Sequence, residues 1–128
     1  MEIAITHDAN TLTLHVVYSG EFSLSEAEVS FLQILGEIMK QGTRKILIDG
    51  RGIIGEPGAM ERFLYGKFAA DSVNELRNQG LSYAPQFAYT MVPPVLDPQR
   101  FGETVAANRG MYVRAFDNVE DARRWLSI

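Results

Sequence analysis

The sequence contains no cysteine. That excludes disulfides, thiolate nucleophiles and cysteine-ligated metals, and it sets the expectation of a cytoplasmic protein. No apolar run reaches the roughly 18 residues that a spanning helix needs, so no membrane span is expected. The opening Met1-Glu2-Ile3-Ala4-Ile5-Thr6 has neither a basic stretch nor a long apolar one. It reads as a strand and not as a secretory signal. Positive charge is also short, with 12 Lys and Arg against 16 Asp and Glu and a net charge of −4. The basic residues are scattered, and the tightest groups are the pairs Arg44-Lys45 and Arg123-Arg124. Nucleic acid needs a dense basic stripe, so no nucleic-acid partner is expected. The two histidines, His7 and His15, have no carboxylate or histidine at ligand spacing, so neither a metal site nor a cofactor is expected. No serine lies in a G-x-S-x-G elbow, and no nucleophile–base pair is visible.

What is present is ordinary globular material. The chain has 128 residues, 46% of them hydrophobic. One domain over residues 1–128 is the expectation, able to bury about two-thirds of its unfolded surface. Ile3 and Ile5 alternate with polar neighbours as a first strand. Leu12, Leu14, Val16 and Tyr18 share one face of a second, joined to the first as an antiparallel hairpin by His7-Asp8-Ala9-Asn10. Ser23 and Glu26 form a capping box for a helix with apolar positions Leu24, Ala27, Phe31, Ile34, Leu35 and Ile38, ended by Gly42. Lys45 to Asp49 reads as a central strand, apolar on both faces.

Met60, Phe63, Leu64, Phe68, Val73 and Leu76 outline a second helix, with a bend expected near Gly66 and an end at Gly80. Phe87 to Val92 is a fourth strand, stopped by Pro93-Pro94. Asp97 is expected to cap a third helix carrying Pro98 in its first turn, Phe101 and Val105 as anchors and Gly110 at its end. Met111 to Phe116 is a fifth strand. Asn118 caps a last helix that buries Val119, Ala122, Trp125 and Leu126. The order is ββαβαβαβα, which predicts an α/β domain with a mixed, mostly parallel five-stranded sheet.

The segment most suited to a site is Asp49 to Gly58, expected as a loop at the C-terminal end of the central strand. Open α/β sheets bind ligands at that edge. It contains Gly50-Arg51-Gly52-Ile53-Ile54-Gly55, a literal G-x-G-x-x-G. Asp49 would repel a pyrophosphate there, and Glu56-Pro57 interrupts the way into the helix that would carry it. No Lys-Ser or Lys-Thr follows the last glycine, so a Walker loop is excluded. A tight turn is therefore the preferred reading of the glycines. Asp49, Arg51, Glu56, Arg62 and Tyr65 are the candidate ligand or partner surface. Arg51 suits an anion, or a structural ion pair with Glu61 or Asp49.

The order of elements and several segments resemble the SpoIIAA-like superfamily. It holds the STAS domains of sulfate transporters and anti-sigma-factor antagonists and a bacterial branch grouped with Sec14-type domains. The resemblance covers nearly the whole chain. It is strongest over Phe101 to Gly110, Val113-Arg114-Ala115-Phe116 and Asp121-Ala122-Arg123-Arg124-Trp125-Leu126, with Ile46 to Gly55 similar to the central strand and loop. Antagonist STAS domains carry a phosphorylatable Ser or Thr before the second helix. The matching positions here, Pro57, Gly58 and Ala59, have no hydroxyl, so that switch cannot operate at this site.

The resemblance implies a non-enzymatic regulatory or protein-interaction module of STAS-like type. The alternative is a carrier holding a small apolar or anionic ligand, or a lipid, between the second helix and the sheet. Phe63, Tyr65, Phe68 and Tyr89 would line such a pocket. A third reading is an enzyme using Asp49, Arg51, Glu56 or Glu61 as acid–base groups. A homodimer is expected if a second copy covers the apolar face of the opening hairpin.

Overall fold

A computed structural model describes all residues 1–128 as five strands and four helices. The expected order holds. The strands are β1 (Glu2–Asp8), β2 (Thr13–Glu21), β3 (Lys45–Ile54), β4 (Gln86–Thr90) and β5 (Val113–Phe116). The helices are α1 (Leu24–Gln41), α2 (Ala59–Asn78), α3 (Phe101–Asn108) and α4 (Val119–Leu126). The sheet runs β1-β2-β3-β4-β5. β1 pairs antiparallel with β2, and β2 through β5 are parallel.

Parallel strands that advance in one direction through right-handed crossovers place their connecting helices on one face of the sheet. α1, α2 and α3 lie there over the main core. That core is a cluster of 15 buried residues that includes Leu14, Val16, Ile46, Ile48 and Phe87 from the strands and Phe31, Ile34 and Val73 from the helices. α4 follows the last strand and covers the opposite face, where Leu47, Ala88, Ala122 and Leu126 form a smaller cluster. β3 is thus covered on both faces, which accounts for its unbroken apolar run. Trp125 is half-buried against this smaller cluster and Val119 is half-buried at the start of α4, while Ala122 and Leu126 are fully buried.

Asn118 caps α4 as expected, while Ser23 caps α1 without the reciprocal half of the expected box, because Glu26 accepts from the Met1 amino group at 2.9 Å and the Ser23 N–H donates to Met1 Sδ at 3.2 Å. The Ser23 hydroxyl accepts from the Glu26 N–H at 3.3 Å, and the Asn118 side chain accepts from the Asp121 N–H at 2.8 Å.

Five further expectations need correction. β3 does not stop at Asp49 but runs to Ile54, because Gly52, Ile53 and Ile54 pair with Ser19, Gly20 and Glu21 beyond a bulge that puts one extra residue into β3 between Asp49 and Gly52. The glycines serve that pairing: a Cβ on Gly52 would lie 2.9 Å from the Tyr18 carbonyl oxygen. α2 is continuous through Gly66. That glycine instead admits α3, since a Cβ there would lie 2.6 Å from the Gly102 carbonyl oxygen.

Asp97 does not cap α3 itself. Its carboxylate accepts from Gln99 N–H at 3.2 Å and Phe101 N–H at 2.9 Å, closing a turn that delays the helix to Phe101. Leu12 does not join the apolar face of β2. It sits before the strand at φ 54° and is exposed. Finally, the apolar face of the β1–β2 hairpin is not left over. Leu14, Val16 and Tyr18, with Ile3 and Ile5 against them, pack under α1 within the chain.

Candidate functional site

The five candidate residues divide between the two faces of the sheet. Side chains alternate along a strand, so Asp49 and Arg51 project from β3 on the same face as Leu47, the α4 side. They engage each other. Arg51 donates from Nε to Asp49 Oδ1 and from Nη2 to Asp49 Oδ2, both at 2.9 Å, and its backbone N–H adds a bond to Oδ1 at 3.1 Å. Of the two ion pairs open to Arg51, the structure forms the one with Asp49. The Arg51 hydrogen bond, ahead of the opposing effect of partial burial, holds the Asp49 carboxyl below its ordinary value. The same bond raises the Arg51 guanidinium. A carboxylate held ionised by a two-pronged arginine is poorly suited to proton transfer near neutral pH.

Arg62 and Tyr65 lie on α2, on the other face. Arg62 donates to three backbone carbonyls: from Nε to Pro57 at 3.0 Å, from Nη1 to Val95 at 2.7 Å and from Nη2 to Pro94 at 2.8 Å. The side chain therefore ties the segment after β4 to the start of α2. Glu56 is exposed in the short turn between β3 and α2. That turn begins at Gly55, whose φ of 125° favours glycine, and ends at Gly58, the N-cap of α2. Glu61 Oε1 accepts from the Gly58 N–H at 3.0 Å, so a carboxylate of the chain already occupies the positive end of α2.

Between α2, α3 and the C-terminal halves of β3, β4 and β5 lies a cavity of about 140 Å³. Its walls include Ile48, Ile53, Tyr65, Ala69, Tyr89 and Val95. Tyr65 and Tyr89 hydrogen-bond through their hydroxyls at 2.7 Å. Desolvation raises both phenols above their ordinary value, so both stay protonated through the neutral range. Two of the four expected lining aromatics are therefore in the wall. Phe63 instead packs beneath the Arg109 guanidinium, 5.4 Å from the ring centre, and Phe68 lies against the main core.

Sequence reasoning missed Arg100, which also lines this cavity. Its φ is 56°, in the left-handed region, and nothing in Arg-Phe-Gly announces that conformation. Outside the cavity a wider cleft is lined by Glu56, Pro57, Pro93, Pro94, Pro98 and Phe101. Large apolar side chains stand exposed around the same end of the molecule: Ile54 at 67%, Met60 at 66% and Phe101 at 39%. No three His, Asp or Glu side chains converge as a metal-ligand group.

No protein-family model and no curated protein matches the sequence. Among solved structures, the chain is similar to an anti-sigma factor antagonist from Mycobacterium paratuberculosis. The two share 14% identity and a TM-score of 0.60, over 99% of this chain and 96% of the other. At that identity the likeness is one of fold, and it spans both chains almost end to end. The chain is a single α/β domain that shares the fold of that anti-sigma factor antagonist.

Proposed function

We propose that the protein is a non-enzymatic regulatory module that acts by binding another protein in the cytoplasm. The observation that carries this reading is the apolar surface around the β3–α2 turn. Ile54 and Met60 flank the turn and are about two-thirds exposed, and exposed apolar side chains grouped beside a cleft mark an interaction surface. The cleft beside them, with Phe101 and four prolines on its walls, extends the same surface. The solved structure of like fold is that of an anti-sigma factor antagonist, which supports a regulatory role. Pro57, Gly58 and Ala59 carry no hydroxyl, so control of binding by phosphorylation of this turn is not part of the proposal.

Affinity capture from the native host tests it. A partner should be recovered with the wild type and lost with Met60→Asp and Ile54→Asp, variants whose exposed positions leave the fold intact. A partner kept by both and lost with Arg51→Ala would move the contact to the α4 face. No helix of the structure is long and apolar enough to cross a membrane. A second copy of the chain is also proposed as a partner, over the outer face of α1. There Val29, Leu32 and Met39 are exposed at spacings of a helical seam. A monomeric mass in light scattering at micromolar concentration would remove this part.

A second reading rests on the cavity. A carrier needs an apolar pocket, and the half-open, mostly apolar one between α2, α3 and the sheet supports this reading. Its volume admits a small group and not a long lipid chain. A purified sample that shows only the apo mass in native mass spectrometry, with no thermal shift on a metabolite panel, would count against it.

A further inference from the structure

The cavity wall holds one cation that the fold leaves without a partner. Arg100 makes no side-chain hydrogen bond and no ion pair, and its Nη1 is buried. Arg100 is half-buried and cannot shed its charge, so a buried guanidinium nitrogen left without an acceptor is costly, and an anion satisfies it best. Arg62, which also lines the cavity, is different, because each of its three nitrogens donates to a carbonyl, of Pro57, Val95 or Pro94.

The carboxylates in the same wall do not supply the missing anion. Asp97 is near enough to feel the Arg100 charge but makes no bond to it: its oxygens are committed to the N–H groups of Gln99 and Phe101, and the Phe101 bond foremost holds its carboxyl below the ordinary range. Glu61 is committed to Gly58 N–H. Glu103 forms no ion pair with Arg100, although it lies one turn further along α3. The backbone of Arg100 is itself unusual. Its left-handed φ of 56° is rare for a residue with a Cβ, and conformations of this kind concentrate at ligand clamps.

We propose that the cavity binds a compact apolar monocarboxylate, with its carboxylate paired to the Arg100 guanidinium. The fork of N–H donors matches a carboxylate in two-pronged fashion. The apolar part, an aromatic ring or a short branched chain, sits among Ile48, Tyr65, Ala69 and Val95. The volume of about 140 Å³ sets the size, since an engineered apolar cavity of about 150 Å³ accommodates benzene. This inference rests on the carrier reading above and specifies the chemistry of its ligand.

The test uses 3-phenylpropionate, its uncharged amide and benzene, titrated into the full chain by calorimetry and followed by NMR shifts at Ala69 and Ala106. Wild type should bind the acid at least about tenfold tighter than the amide, the range of one charge-assisted contact. Arg100→Met, which keeps the aliphatic stem, should abolish that preference yet still bind benzene, which also shows that it folds. Arg100→Lys should keep part of the preference. Equal binding of acid and amide by wild type, or unchanged acid affinity in Arg100→Met, overturns the Arg100 assignment and leaves the carrier reading standing if benzene binds. If none of the three binds, the carrier reading and the proposal fall together.

Discussion

Replacing Arg62 by methionine should destabilise the fold by about 2–3 kcal/mol. The figure follows from its three bonds. Those to Pro57 and Val95 are partly buried, at 3.0 and 2.7 Å, and each is a charged donor to a carbonyl, worth about 1 kcal/mol or somewhat more. The bond to Pro94 is exposed and adds about half as much. Methionine keeps most of the apolar stem, so little packing is lost with the charge. Lysine should not rescue the loss, because its three donors sit on one nitrogen and cannot span carbonyls on two segments. Urea unfolding read by circular dichroism gives the difference directly, and the matching fall in Tm is about 10 °C for a chain of this size. A loss below about 0.5 kcal/mol, the scale of an ordinary surface substitution, would refute the claim that Arg62 is a structural clamp.

Gly66→Ala gains about 1 kcal/mol of helix propensity but places a Cβ 2.6 Å from the Gly102 carbonyl, so α3 must move. Overpacking of that kind costs about 1–3 kcal/mol, and a net loss of roughly 1 kcal/mol in urea unfolding is expected. Tyr65→Phe strands the Tyr89 hydroxyl and should cost about 1–2 kcal/mol, with part recovered in the Tyr65→Phe/Tyr89→Phe double variant. Asp49 has a folded pKa below its ordinary 3.8. Its pairing therefore contributes stability above that value and loses it as pH falls through the lower folded value. The pair is partly exposed, so Asp49→Asn should lower stability near neutrality by a small amount, below about 1 kcal/mol, and the difference from wild type should close as pH falls from about 5 to about 2.

Local chemistry was the legible part of this fold. Ser23 with Glu26, and Asn118 with Asp121, announce their helices because a cap is a contact between residues three apart. The doubly apolar run at Ile46 to Ile48 announces a strand covered on both faces for a similar reason. What the sequence concealed depends on contacts between distant segments. The Gly50–Gly55 pattern reads as a tight strand-to-helix turn until β2 is laid beside it and Gly52 is found against the Tyr18 carbonyl. Gly66 reads as a bend until α3 is found against it. The candidate site was split for the same reason. Asp49 and Arg62 are both charged residues near one sheet edge, but strand alternation sends Asp49 to the α4 face while Arg62 stands over the other. Arg100 could not be seen at all, since its burial depends on α2, α3 and the sheet together.

The central claim is that the partner-binding surface is the apolar end of the molecule around the β3–α2 turn and the segment after β4. Hydrogen–deuterium exchange of the chain, alone and with the partner captured from its native host, tests this most directly. The account predicts slowed exchange over residues 54–61 and 93–101, with α4 and the Asp49–Arg51 edge unchanged. Protection confined to α4 and that edge, with the turn exchanging as in the free protein, would contradict it.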